Sequence, residues 1–585
     1  MALRITDEQN YQDIADAIRN KLGSDDTFLP SEMAGAIGSI PSGGNAEVKT
    51  IFIDYDGTVL HEYTQAEVDA LTALPALPSH DGLTCQGWNW TLSELQALGR
   101  AVVVGANYVT DDGKTRVYIS IPENDLYVKT QVGTSMAFTA IVDWGDGNSS
   151  TLSKSSNSAE HTYSAAGDYV ITFEVLTGTM TISGSSSLGS TLVYSGQSSS
   201  AESMGAINYI RKIELGENIV LGSYVFKYTR NMESISIPEG IQSFPASSFS
   251  AALNLKGIVL PREAVQLDTF MFYECLSLRY ISIPPTLASI PESFVSGCIG
   301  LSRVSFPDSV TLIYENAFKG CISLEGVELP SYITGLGKNA FNGVMGLKKN
   351  LVLPQSVTTV SNYALAETNI ETLVINSAIT AGPYAFSSNK RLRSVKFNAG
   401  FTELKNNVFS SCDLLEELEI SGSGEEIQNS FVYKDSVLTE VILPDTITKI
   451  GEDAFGLCMS LKEIDIPSSV TEIGPYAFYS CHGIRQLSIP EGVTRIESYS
   501  YNTMKALTEI EFLGDIEFID RYAFTSSYGI VSVDLTHCTA VPELAGTNAF
   551  VSGSTRLKIK VPAALYDEWI AAVNWSSISQ YIVAA

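Results

Sequence analysis

Between about residue 210 and residue 562, apolar and polar positions recur with a period of 23 residues. One copy sets Leu278, Ile281 and Ile283 ahead of Pro284, then follows with Ile290, Phe294 and Cys298. The next sets Leu301, Val304 and Phe306 ahead of Pro307, then Ile313, Phe318 and Cys321. The anchor closing each triplet runs from Gly216 and Pro238 through Pro354, Asn376 and Ser421 to Pro562, 16 copies in all, with steps of 22 to 24 residues and a last step of 26. A period held that tightly predicts stacked units, none of which can bury its apolar side alone. Within a unit, Leu-x-x-Ile-x-Ile-Pro predicts a short strand with its apolar residues inward. Proline ends it because it cannot donate to a further ladder. A Ser/Thr-rich turn such as Ser468 to Thr471 follows, then an arm carrying Ile473, Ala477, Phe478 and Cys481. The arm's aromatic recurs as Phe226, Phe249, Phe272, Phe294, Phe318, Phe341, Phe386, Phe409, Phe431, Phe455, Phe478, Tyr501 and Phe524, with Leu365 as substitute, and predicts a continuous core spine.

The remaining pattern divides the chain further. Residues 1–45 read as a helical segment and linker: Thr6 and Gln9 form a capping box, and Tyr11, Ile14, Ile18 and Leu22 share a face. Residues 46–110 read as a small α/β segment, with a strand from Val48 to Ile53, helices near Thr64 to Leu74 and Thr91 to Leu98, and a compact aromatic core around Trp88 and Trp90. Residues 111–200 alternate with strand periodicity, as in Val117 to Ile121, Met136 to Val142 and Val170 to Leu176. Residues 201–562 hold the repeats. Residues 563–585, with a helical stretch from Leu565 to Val573 and Trp569 and Trp575, read as a cap over the end of the stack.

Composition narrows the function. The 585 residues carry 36 Lys and Arg against 65 Asp and Glu, a net charge of -29, which argues against wrapping nucleic acid. No run approaches the roughly 18 apolar residues of a membrane span, and the first residues, Met1 to Glu8, lack the apolar core of a secretion signal. Six of the eight cysteines, Cys275, Cys298, Cys321, Cys412, Cys458 and Cys481, share one repeat position, which favours buried free thiols over disulfides and matches no zinc spacing. The five histidines are scattered, and no cofactor fingerprint appears.

Candidate binding residues follow from the strand geometry. With rungs about 4.8 Å apart, a stack of this length gives an inner wall of roughly 75 Å. Side chains two and four positions before each anchor face out of that wall. Early in the array they are small or uncharged: Ser234, Ser236, Gly257, Val259 and Ser282. The candidate ligand-facing set is Tyr280, Arg303, Glu328, Lys396, Glu417, Glu419, Glu440, Glu463, Asp465, Glu509, Glu511 and Asp534. Its later members are mostly carboxylates on adjacent rungs, which repel one another. Both a solvated acidic face and a site for a cationic partner fit that pattern.

Three resemblances add to this reading. The unit from Glu472-Ile473-Gly474 to Pro490 resembles the leucine-rich repeats of BspA-type bacterial surface proteins, which implies a solenoid with a parallel sheet on its inner side. The turn Asp143-Trp144-Gly145-Asp146-Gly147, followed by His161-Thr162-Tyr163 and Gly167-Asp168-Tyr169-Val170, resembles the polycystic-kidney-disease (PKD) type of immunoglobulin-like domain, which implies a spacer without catalytic residues. Residues Tyr11 to Arg19, Phe52 to Thr58 and Gly87 to Trp90 resemble the N-terminal parts of tail or fibre-like proteins of bacteriophages infecting gut Firmicutes. A competing motif, Ile51-Phe52-Ile53-Asp54-Tyr55-Asp56-Gly57-Thr58, is similar to the first motif of haloacid-dehalogenase-like phosphatases, where the two aspartates act as nucleophile and acid. Only about 60 residues follow before the pattern turns to strands, too few for that α/β core, so the plain reading is a strand ending in an Asp-Gly turn.

The expected fold is therefore mainly β with some α: a leucine-rich-repeat solenoid preceded by an immunoglobulin-like β-sandwich and a small α/β region. The expected function is non-enzymatic binding of a host cell-surface glycan or protein by a virion tail component, attached to other tail proteins through residues 1–105. A bacterial surface adhesin is the first alternative and the phosphatase the second. No coiled-coil heptad fixes an oligomeric state.

Overall fold

The computed structural model describes residues 49–187, 189–195, 209–550 and 556–585. The helices expected before residue 45 lie outside the described residues. The fold is mainly β, built on leucine-rich repeats, and the chain divides into two compact units, one holding the described residues up to Pro330 together with Gly343–Leu347, the other Ser331–Asn342 and Lys348–Ala585.

The first unit begins with the small α/β module. Its strands are β1 (Thr50–Ile53), β2 (Val59–Tyr63), β3 (Leu83–Trp88) and β4 (Val103–Thr110), in the order β2-β1-β4-β3. Only β1 and β4 run parallel. Helix α1 (Gln65–Ala70) starts at a capping box of Thr64 with Glu67, and α2 (Leu92–Leu98) at one of Thr91 with Glu94. Phe52, Val68, Trp90, Leu95, Val102 and Val104 form the core, with Trp88 packed against it. The Asp-Gly motif is the hairpin between β1 and β2. Asp54 accepts from its neighbour's amide and lies 2.7 Å from His80 Nε2, while Asp56 caps the amide of Thr58.

Strands β5 (Thr115–Ile121), β6 (Tyr127–Gln131), β7 (Phe138–Asp143), β8 (Ser149–Ser153), β9 (Ser158–Thr162) and β10 (Gly167–Gly178) build two antiparallel sheets. In β5 every second residue is buried. Trp144 is buried, its indole donating to Ser150, and the Tyr163 hydroxyl donates to the Trp144 carbonyl. These aromatics are core. Strand β5 does a second job, because it also pairs antiparallel with Ile210–Glu214, the first repeat strand, which continues parallel into Ser234–Ser236. The open edge of the first rung is thereby closed by a neighbouring fold. Glu214, buried there, lies 2.7 Å from the Lys212 ammonium, accepts from the Tyr118 hydroxyl and stands 3.8 Å from Arg116. Lys212 also sits over the rings of Tyr55 and Tyr118, so one charge cluster ties all three modules of this unit.

The α/β module then lies against the outward face of the early repeat strands. Asn89, fully buried, donates to the Leu260 carbonyl and to Ser282 Oγ and accepts from the Gly105 amide. Ser282 in turn donates to the Val103 carbonyl, and the Trp90 indole to the Ile283 carbonyl. Asn107 reaches the Ile237 carbonyl, and the Val103 amide reaches Ser305. Arg262 forms a two-pronged pair with Glu94 at 2.6 and 2.8 Å. Val259 packs with Ile51, Ile53 and Val103. The approach needs glycine: a Cβ on Gly257 would stand 2.3 Å from the Gly57 Cα. The expectation of a wall open along its length is corrected here. Its early positions are small because another module covers them.

Most repeats contain two short strands, which stack into separate ladders. Gly257–Val259 with Tyr280–Ser282 belongs to the principal ladder, and Ser289–Ile290 with Leu312–Ile313 to the second. The arm is a chain of turns in which two residues four apart take positive φ, for example Tyr476 and Ser480, or Tyr499 and Thr503. The spine residue sits midway between them. By that rule Val295 and Val432 occupy the column, and Phe294 and Phe431 fall one position earlier, a correction to the expected spine. The stacking shows the slip: Phe455 and Phe478 lie 9° from parallel, whereas Phe409 meets Phe431 at 82°.

A second internal column lies three residues beyond the spine. Cys275, Cys298 and Cys321 in the first unit, and Cys412, Cys458 and Cys481 in the second, each direct Sγ at the spine carbonyl one rung earlier, at 3.0–3.3 Å. Burial pushes the thiols of Cys298, Cys321 and Cys458 up, and those of Cys412 and Cys481 up to about 12. Asn389 and Ser527 fill the same position and donate in the same way. Asp435 is the exception. It is fully buried, and its carboxyl oxygens have no hydrogen-bond partner. Burial raises its pKa to about 8, and as a neutral acid it gains a donor like those of the Cys, Asn and Ser residues at this position.

The second unit ends in a cap. The strand Ile582–Ala584 pairs with the last repeat strand, Lys558–Val561. Helix α3 (Tyr566–Ala571) supplies Trp569, and Trp575 packs on Phe550 at 5.8 Å and donates to the Pro542 carbonyl. Both tryptophans are fully buried.

Two measurements test these contacts. Asn89→Ala strands the Gly105 amide and the Leu260 carbonyl, and is expected to cost about 2–3 kcal/mol in denaturant unfolding; a change within error would remove the docking network as a stabilising element. Asp435 has a folded pKa above its unfolded value near 3.9. The wild type is thus expected to lose stability as pH rises from about 4 to 8. Asp435→Asn, which copies Asn389, should abolish that slope and raise the melting temperature at pH 7.5 but not at pH 4. Parallel pH profiles for the two proteins would refute it.

Candidate binding surface

The docked module decides which part of the principal sheet is accessible. Ser236 and Ser282 are wholly buried, and Ser234, Val259 and Ser305 are nearly so. Of the candidate residues in the first unit, Tyr280 packs against the Ile51, Ile53, Val103 and Val259 cluster. Arg303 and Glu328 border a narrow seam with Lys49 and Arg100. These three sit at the margin of an intramolecular interface, not on an open wall.

The second unit presents the other nine. Its principal strands run Asn350–Leu353, Thr372–Ile375, Ser394–Phe397, Glu417–Ile420 and Glu440–Ile442, all parallel and in register. A further set runs Gln486–Ile489, Glu509–Phe512, Ser532–Asp534 and Lys558–Val561. Alternate residues are buried and exposed, as in Gln486 to Ile489 and Glu509 to Phe512, which is what a sheet with one wet face requires. Lys396 pairs with Glu419 at 2.8 Å, and this ammonium, with the Ser421 hydroxyl, holds the Glu419 carboxyl below its usual range. Burial works to raise Asp534, but Thr536 and Lys560 outweigh it and leave it lowered. Glu509 accepts from Gln486. Glu417 and Glu440 face each other on paired rungs, and like Glu463, Asp465 and Glu511 they have no ion-pair partner among the described residues. The face therefore carries uncompensated negative charge.

Between the two sets of strands the ladder is interrupted. Residues 462–466, which the repeat predicts to be a strand, are paired with neither neighbour. The second ladder is intact at the same level, with Lys449–Ile450 bonded to Glu472–Ile473. A groove of about 1260 Å³ opens there, bordered by Lys462, Glu463, Asp465, Arg485, Gln486 and Ser488, with Ile464, Ile466 and Leu487 at its floor. Ile466 is half-buried, whereas the equivalent Ile489 and Phe512 are fully buried. The groove thus brings together Glu463 and Asp465 of the candidate set with Gln486 and Ser488, which the same strand rule turns outward but the set left out, and with Arg485. Nothing in the string Leu461 to Pro467 departs from its neighbours, so the interruption left no mark in the sequence.

Among the described residues, no three His, Cys, Asp or Glu side chains converge as a metal site, and no helix is long and apolar enough to cross a membrane. The Asp54 and Asp56 pair is held in a hairpin whose Gly57 abuts Gly257, which leaves no room at that glycine for even a methyl group.

Comparison with known proteins agrees with this architecture. The BspA type leucine-rich repeat region matches residues 219–348, 311–437 and 425–552, more than half of the chain. The chain belongs to the BspA-type leucine-rich repeat family. Among solved structures, a leucine-rich repeat protein from Bacteroides ovatus is 23% identical, with a TM-score of 0.43 over 55% of this chain and 83% of that one. A leucine rich cell surface protein from Faecalibacterium prausnitzii is 23% identical, with a TM-score of 0.31 over 47% and 84%. The pneumococcal vaccine antigen PcpA is 18% identical, with a TM-score of 0.28 over 60% and 78%. No curated protein matches the chain. No catalytic family is indicated.

The charge pattern makes a direct prediction. Glu440→Gln removes a carboxylate that faces Glu417, and is expected to stabilise the chain by about 0.5 kcal/mol at low salt, an advantage that fades in 1 M salt. Destabilisation at low salt would mean that Glu440 has a favourable partner.

Proposed function

We propose that this chain is a non-enzymatic binding protein whose recognition face is the exposed, acidic part of the principal sheet from Glu417 to Asp534. The observation carrying this reading is the division of the sheet's outward face. Where a module of the same chain covers it, most outward residues are small and neutral; from Glu417 to Asp534 carboxylates predominate, and Glu417, Glu440, Glu463, Asp465 and Glu511 have no ion-pair partner among the described residues. Unpaired like charge costs stability, so its presence on one exposed face is explained by a partner bearing positive charge. That partner is a host cell-surface protein or glycan with cationic groups. Association is steered by charge and weakens as salt rises.

In this reading the chain is carried on a bacteriophage tail, as the likeness of its N-terminal segments to phage tail and fibre-like proteins implies. The PKD-like sandwich closes the first rung and spaces the repeats from the particle. Residues 49–105 pack on the repeats, so attachment falls to residues 1–45. A bacterial cell-surface adhesin is the second reading, favoured by membership in a family that resembles surface proteins. In both, the partner-facing residues are the same.

Binding of the full chain to candidate host cells tests the proposal. Replacing Glu417, Glu440 and Glu463 together by Lys is expected to reduce cell binding by about tenfold or more, with the melting temperature retained. Undiminished binding would overturn the assignment of this face. Deleting residues 1–45 should abolish incorporation into virions while leaving cell binding intact; normal incorporation would defeat the attachment role.

A further inference from the structure

The interruption at residues 462–466 leaves main-chain groups without partners in the middle of a sheet. In the paired rungs, the amides of Thr508 and Glu509 reach back to the Arg485 carbonyl, and the Leu513 amide to that of Ile489. By the same register, the amides of Gln486 and Ser488 point toward the carbonyls of Lys462 and Ile464. Those bonds are not made, and the groove opens over both segments. Unpaired amides and carbonyls along an extended edge form a template for a further strand.

We propose that this groove accepts an extended peptide segment of a partner protein, added as a strand alongside Gln486–Ile489, with alternating apolar and basic residues. The alternation follows from the two sides of the groove. Side chains pointing inward would meet Ile464, Ile466 and Leu487, and Ile466 is more exposed than its counterparts on paired rungs. Side chains pointing outward would emerge beside Glu463 and Asp465, with Glu509 on the next rung, all exposed carboxylates. Strand geometry places successive side chains on opposite sides, so one segment satisfies both demands. The main chain supplies affinity and the carboxylates select positive charge. This inference rests on the acidic face being the recognition surface and names the class of ligand it takes.

The probe is a labelled octapeptide alternating valine and lysine, titrated into the full chain by fluorescence anisotropy. It is expected to bind, while a valine–glutamate peptide does not. N-methylation of alternate residues, which removes the peptide's donors, should weaken binding by about tenfold, the equivalent of one or two hydrogen bonds. Ser488→Pro, which deletes one amide on the edge, should weaken it similarly. Should that variant fail to fold, Asp465→Lys probes the same groove through charge alone. Hydrogen exchange supplies the remaining arm: the Gln486 and Ser488 amides should exchange fast in the chain alone and slow with the peptide. Equal binding of the N-methylated peptide, or no effect of either variant, would overturn strand addition, as would slow exchange of both amides before peptide is added. Host-cell binding that survives Ser488→Pro but is lost in the triple lysine variant would sink this inference and leave the proposed function standing.

Discussion

A stack of parallel rungs satisfies its main chain only where each rung has a neighbour, and much else in this protein answers that constraint. One repeat can neither bury its apolar side nor pair its own amides. The first rung borrows a neighbour, since β5 of the sandwich pairs with Ile210–Glu214 and converts an edge into the interior of a mixed sheet. The last repeat strand is covered by Ile582–Ala584, and the end of its spine by Trp575. Away from the sheets, the internal columns apply the same rule with side chains. Cysteine, asparagine and serine each direct a polar atom at a spine carbonyl of the previous rung. Asp435 can donate in that way only when protonated, and as a carboxylate it is a buried charge.

The proposed recognition surface lies where pairing or covering stops. In the first unit the outward face is closed by a module whose Asn89, Trp90 and Val103 reach into it, and its residues are selected for fit. In the second unit the outward face meets solvent, and from Glu417 to Asp534 it is rich in carboxylates. At the interrupted rung, main-chain groups of the sheet, an apolar floor and carboxylates share a single groove.

Much of this was legible in the chain. The period, the proline stops and the helix starts near Thr64 and Thr91 could be read directly, because each depends on contacts within a few residues. Column assignments were legible to one residue only. Phe294 and Val295 are both apolar and both buried, so pattern alone cannot choose between them; the positive φ of Ser293 and Gly297 does. The docked module was written in the small residues Ser236, Gly257 and Ser282, but smallness alone does not say whether a surface is empty or covered. The interruption at 462–466 was not legible at all, since Ile464 and Ile466 match the repeat and the missing bonds depend on how neighbouring rungs settle.

The division of the sheet into a covered and an exposed part is tested most directly by single cysteine substitutions labelled with a maleimide in the native, full-length chain. Cysteine placed at Ser282 or Ser236 should react no faster than the buried native thiols, while cysteine at Gln486 or Glu440 should react near the rate of a small thiol in solution. Comparable fast labelling at all four positions would contradict the account, because the early face would then be as open as the late one.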